Sequence, residues 1–180
     1  MSDFVSGKNE GDEVKGKMNE VRIQITRPAN TTAYLANDTI ADKTSSATIL
    51  TFANVARQNG RGGYLVGLRI GTNKDAFLAR FRLHLFNVAP TVLSDNAPMT
   101  APLFADLSSY LGHITLATAI LQVAGSAVFA QQDTTTEPPL AFPYLCADDD
   151  RSIYAMLETR TALTPSSAQK FEIWGTFEIN

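Results

Sequence analysis

The chain has little cysteine, histidine or charge, and no long apolar run. Its single cysteine, Cys146, excludes an intrachain disulfide and any zinc site built from cysteine pairs. Two histidines, His84 and His113, are too few and too far apart in sequence for a clustered histidine–carboxylate metal set. Charged residues make up 18% and the formal net charge is −3, which argues against a protein built to neutralise phosphates, so no nucleic-acid partner is expected. The most apolar stretch, Leu116 to Ala130, is interrupted by Thr118, Gln122, Gly125 and Ser126. It is too short and too polar to span a bilayer, so a soluble chain with no membrane partner is predicted. The opening residues MSDFVSGKNEGDEVKGKMNE lack the apolar stretch and small-residue cleavage site of a secretory leader.

What remains is a chain able to bury a core, with 44% hydrophobic residues. Residues 1–20 differ from the rest: Lys8, Lys15 and Lys17 mix there with Asp3, Glu10, Asp12, Glu13 and Glu20, and large apolar residues are scarce. Such a segment cannot offset its own chain entropy, which predicts a flexible N-terminal arm. Two readings stay open, a frayed terminus and an arm that orders on a neighbouring subunit.

From Val21 onward the pattern is alternation with period two, the sign of strands with one buried face. Val21, Ile23 and Ile25 alternate with Arg22, Gln24 and Thr26. Tyr64, Val66, Leu68 and Ile70 oppose Leu65, Gly67 and Arg69, and Phe81, Leu83 and Leu85 oppose Arg80, Arg82 and His84. Ile153, Ala155 and Leu157 form a further set, and Phe171, Ile173, Gly175 and Phe177 oppose Glu172, Trp174, Thr176 and Glu178. Another strand is predicted within Thr48–Val55, and one short helical turn within Leu103–Leu111. Turn formers separate these runs: Asn59-Gly60 within RQNGRGG, and prolines that fall only between the alternating segments. The fold class is therefore all-β, a jelly-roll-like antiparallel β-sandwich over residues 21–180.

Chemistry-bearing patterns are sparse. His84 reads as an exposed or edge histidine on the polar face of FRLHLF, and His113 as a loop residue after Gly112. Asp148, Asp149 and Asp150 read as a solvated turn, since no further acidic residue follows at calcium-loop spacing. The glycines of GRGG lack the lysine and hydroxyl residue of a phosphate-binding loop. No serine sits in a G-x-S-x-G turn. Cys146, between Leu145 and Ala147, reads as a small buried hydrophobe. No catalytic, cofactor-binding or metal-ligating residue is assigned, no cofactor is expected, and a non-enzyme is predicted.

The candidate interface residues are Trp174 and Glu172 on one strand face, Arg80 and Arg82 on another, and Lys8, Lys15 and Lys17 in the arm. Arg69 is expected to join Arg80, Arg82 and His84 across a hairpin. Trp174 on a mainly polar face reads either as an interface anchor or as a ring covered by curling of the sandwich.

Several segments in order carry a resemblance: RPANTTAY from Arg27, GGYLVGLRIG from Gly62 and FRLHLFNVAPT from Phe81. Asp95-Asn96-Ala97-Pro98, YLGHI from Tyr110 and LETRTALTPSSAQKF from Leu157 complete the set. Together, from about Arg22 to the C-terminus, they resemble a family of small structural proteins of tailed bacteriophages. The family is similar to jelly-roll cement, or decoration, proteins that bind the outside of the icosahedral head. The resemblance implies a virion structural protein whose partner is the major capsid protein, located on the outer capsid surface after assembly in the host cytoplasm. It brings no catalytic or metal residues, and symmetric clustering as a dimer or trimer suits the role. Alternatives are a tail, neck or head-fibre component and, from another class, a carbohydrate-binding sandwich stacking sugars on Trp174 or Tyr154.

Overall fold

A computed structural model describes residues 17–74, 79–116, 128–131 and 140–179, the segment 128–131 by its backbone. Its strands in chain order are β1 (Lys17–Thr26), β2 (Thr39–Ile40), β3 (Leu50–Phe52), β4 (Gly62–Thr72) and β5 (Phe81–Phe86). A 3₁₀ turn at Phe104–Ser109 leads into β6 (Tyr110–Leu116). Then follow β7 (Val128–Gln131), β8 (Phe142–Leu145), β9 (Ile153–Thr159) and β10 (Lys170–Ile179).

The strands form two antiparallel sheets packed face to face. The first runs β1-β10-β4, with β7 and β8 pairing the two ends of β4. The second runs β9-β5-β6, with β2 and β3 both pairing β9. Taking β2 with β3, and β7 with β8, as interrupted single strands leaves eight positions. The first pairs the last, the second the seventh, the third the sixth, and the fourth the fifth. This is a long antiparallel hairpin wound into two layers, the jelly-roll order.

The alternation places the core. Ile25, Phe81, Leu83, Leu85, Ile153, Leu157, Phe171, Ile173 and Phe177 all turn inward and are buried. Edge-to-face ring pairs cross between the layers, Phe52 with Phe177 at 5.3 Å and Phe81 with Phe171 at 5.9 Å. Gly63 allows the β4–β10 ladder to close, because a Cβ there would lie 2.0 Å from the Glu178 carbonyl oxygen.

Several expectations are corrected. In β4 the alternation does not run through: Gly67 pairs Thr176 and Leu65 pairs Phe177, so Val66 is the extra residue of a β-bulge. The bulge turns Leu65 into the core with Leu68 and Ile70 and leaves Tyr64 exposed, the reverse of simple alternation for Leu65 and Tyr64. Pro143 lies within β8 rather than between strands. Cys146 N–H donates to the Arg61 carbonyl at 3.1 Å, so alternation turns residue 143 away from β4, where a missing N–H breaks no ladder bond. The strand predicted within Thr48–Val55 is confined to Leu50–Phe52, and the helical turn is a 3₁₀ turn that ends where β6 begins. Residues Lys17–Glu20, assigned to the arm, belong to β1, because Lys17 already pairs Ile179. The remainder of the arm, with Lys8 and Lys15, lies outside the described residues, as does most of the stretch Leu116–Ala130.

Candidate interaction faces

The outer face of the first sheet centres on Trp174 of β10. Its cross-strand neighbours are Arg22 on β1 and Arg69 on β4. Both guanidinium carbons lie over the indole, at 5.7 and 5.1 Å from the ring centroid. Arg22 is ion-paired with Glu172, and Arg69 donates to both carboxylate oxygens of Glu20 at 3.1 and 3.2 Å. These pairs are substantially exposed, so each contributes little to stability, about 0–1 kcal/mol. What they do is order the face: arginines arriving from opposite strands flank a half-buried indole. A sugar stacking on Trp174 would first have to displace one of them.

The outer face of the second sheet carries a polar chain that sequence patterning did not anticipate. His84 of β5 is buried, because β5 is a central strand and partners on β6 and β9 take both ring nitrogens. Its Nε2 lies 2.9 Å from Glu158 Oε2 and its Nδ1 lies 3.1 Å from the Tyr110 hydroxyl, which lies 3.1 Å from His113 Nδ1. An ionised carboxylate only accepts, which fixes the order of protons. His113 Nδ1–H donates to Tyr110, Tyr110 donates to His84 Nδ1, and His84 Nε2–H donates to Glu158. Glu158 also accepts from Arg160 at 2.8 Å and faces Arg82 Nη1 at 3.7 Å. His113 is therefore a strand residue directly opposite His84, not a loop residue. Arg69 does not join this group, because β4 and β5 are consecutive in sequence but lie in different sheets.

Burial alone would raise the Glu158 carboxyl, but hydrogen bonds from His84 and Arg160 outweigh it and hold the group below its ordinary pKa. Burial lowers the pKa of His84; Glu158 opposes this shift, while Arg82 and Arg160 add to it. Burial likewise lowers the pKa of His113, with Arg82 and His84 reinforcing the effect. A histidine depressed in the folded state takes up its proton more readily when unfolded. Its stabilising contribution is thus complete above about pH 6.5 and declines as the pH falls below that value. Urea midpoints measured from pH 7.5 to 5 are expected to fall across that window, and His84→Gln to flatten the decline. An unchanged slope in the variant would show that other groups cause it.

A third cluster ties the loops at one end of the sandwich. Arg27 and Asp95 are buried and paired at 3.0 Å, and the Tyr34 hydroxyl donates to Asp95 at 2.5 Å. Arg27 Nε–H in turn donates to Tyr34, and the Ala41 amide donates to Asp95 at 3.1 Å. Burial first, and then the hydrogen bond to Asp95, raise the Tyr34 pKa well above its ordinary value. Gln169, also buried, donates to Thr72 Oγ1 at 2.6 Å. Arg27 and Tyr34 of RPANTTAY, Asp95 of DNAP and Gln169 of the last segment thus hold loops in place.

The remaining features are apolar or inert. Phe104, in the 3₁₀ turn of the long loop between β5 and β6, is 92% exposed, and Leu107 and Val88 of that loop are exposed with it. A cavity of about 580 Å³ lies beside β8, among Arg57, Arg61, Tyr64, Tyr144 and Leu145. Cys146 is buried and its thiol is pushed up to about 11, chiefly by burial, as a small core hydrophobe should be. Asp150 terminates the acidic turn by accepting from the amides of Arg151 and Ser152 and from the Tyr154 hydroxyl. Among the described residues no cluster of three or more histidine, cysteine or acidic residues could hold a metal ion.

The candidate interface residues do not form one surface. Trp174 and Glu172 lie on the outer face of the first sheet, and Arg82 on that of the second. Arg80 is exposed just before β5, and Lys17 starts the edge strand of the first sheet. No protein-family model and no curated protein matches this chain.

Proposed function

We propose that the chain is a bacteriophage virion structural protein, a cement or decoration protein that binds the outside of the head and bridges major capsid subunits. The observation that carries the reading is the jelly-roll winding, in a chain whose ordered segments resemble that family. A rigid two-layer scaffold presents shaped faces at little entropic cost, and several modest contacts to adjacent capsid subunits add through effective concentration. The exposed Phe104, in the same loop as the exposed Leu107 and Val88, is the anchor we assign to the capsid contact. An aromatic that is solvated on the free protein and buried on the shell is the kind of residue that dominates an interface. The carbohydrate-binding alternative loses support, because guanidinium groups from both sides flank the Trp174 ring.

Mass spectrometry and cryo-electron microscopy of purified virions test the reading directly. The polypeptide is expected on the outer capsid surface; its absence from virions, or its location in the tail or neck, overturns the proposal. In add-back to heads lacking the protein, Phe104→Asp is expected to weaken binding by about 2 kcal/mol, roughly thirty-fold. Its melting temperature should stay unchanged, since the side chain contributes almost no buried area.

A further inference from the structure

The first sheet ends at β1, a ten-residue strand that among the described residues pairs on one side only, with β10. Its ladder with β10 is unbroken from Lys17 opposite Ile179 to Thr26 opposite Lys170. Just beyond it the Arg27 amide donates to the Gln169 carbonyl at 3.0 Å, while on the other side of β10 the Asn73 amide donates to Lys170 at 3.3 Å. Backbone groups alternate sides along a strand. Odd-numbered residues of β1 therefore bond to β10, and the N–H and C=O groups of Met18, Glu20, Arg22, Gln24 and Thr26 point away from the sheet. Among the described residues no backbone hydrogen bond outside the strand ladders reaches these five. Of the devices that blunt a long edge, β1 has no proline, bulge or short length; it carries only charge, at Lys17, Glu20 and Arg22. On its core side, Val21 and Ile23 are only partly buried.

We infer that β1 pairs antiparallel with β1 of a second copy about a two-fold axis at Val21, joining the two first sheets into one. This goes beyond the cement reading and does not depend on it. Charge selects the register. With the axis at Val21, Glu20 stands opposite Arg22 of the second copy and Arg22 opposite its Glu20, and both are residues whose backbone groups face the edge. Met18 and Gln24 pair in the same way. Moving the axis to Glu20 or to Arg22 sets like charges against each other, and moving it to Ile23 leaves both charges without an opposite partner. The intrachain pairs extend the pattern. Arg69, Glu20, then Arg22 and Glu172 of the second copy form a row of alternating sign across the joint, present twice by symmetry.

Sedimentation of the full-length protein is expected to give twice the 19.5 kDa chain mass. Amides of Met18, Glu20, Arg22 and Gln24 should exchange more slowly as concentration rises, while the odd-numbered amides stay protected throughout. Glu20→Arg and Arg22→Glu should each weaken association at least tenfold, and the double swap should restore it. The swap leaves the intrachain contacts to Arg69 and Glu172 mismatched, so only pairing between copies accounts for a rescue. Gln24→Pro removes an N–H that no strand among the described residues uses and should give a folded monomer; should it fail to fold, the charge swap decides. A monomer at every concentration, a trimer, a swap without rescue, or protection of the even-numbered amides that ignores concentration each overturns the inference. The last result would mean that residues 1–16 of the same chain occupy the edge.

Discussion

Replacing Asp95 with alanine is expected to lower the unfolding free energy by about 3–5 kcal/mol, the cost of leaving one member of a buried ion pair without its partner. Asp95 receives Arg27, the Tyr34 hydroxyl and the Ala41 amide together, and both charged side chains are almost wholly enclosed. Removal of the Asp95 carboxylate strands a guanidinium and a phenol at the junction of two long loops. At about 2–4 °C per kcal/mol for a domain of this size, the shift in melting temperature is easily measured. Arg27→Met combined with Asp95→Leu should cost much less than either single change, since an apolar pair leaves no uncompensated charge. If Asp95→Ala melts within 2 °C of the parent, the cluster does not tie the loops as described.

Phe177→Ala should be of similar size, about 3–5 kcal/mol, because a fully buried aromatic is lost and its cavity cannot close. Phe177 meets Phe52 of the opposite sheet at 5.3 Å and Tyr144 of β8 at 5.5 Å, both edge to face. It also pairs Leu65 immediately past the bulge in the β4–β10 ladder. Phe177→Leu fills much of the same space and should cost distinctly less in a urea titration. Equal losses for the two variants would mean that register, rather than packing, fails.

The strands with clean alternation were readable because each has one wet and one dry side. Ile25, Leu83, Ile173 and Phe177 needed nothing more. β6, β7 and β8 carry no such alternation: Tyr110–Leu116 holds a glycine and mixed burial, and Phe142–Leu145 contains a proline that only an edge strand tolerates. The bulge at Val66 was equally invisible, since one inserted residue leaves composition unchanged and reverses facing. The burial of His84 has no sequence signal for a related reason. Sequence shows that a side chain lies on the polar side of its strand, but not whether that strand is central or which neighbours fill the face. A buried carboxylate partner such as Glu158, seventy-four residues away, has no local signal.

By itself the sequence determined the all-β class, the inward-facing residues of the regular strands, the turn at Asn59-Gly60 and the burial of Cys146. All of these follow from local period and from the backbone demands of single residues. Tertiary structure alone decided the pairing of first strand with last, the meeting of Arg27, Tyr34 and Asp95, the flanking of Trp174 by arginines from two strands, and the place of β1 at the end of its sheet among the described residues. Each of these depends on which distant segments become neighbours, and a winding that joins strands more than a hundred residues apart is set by the packing of the whole core.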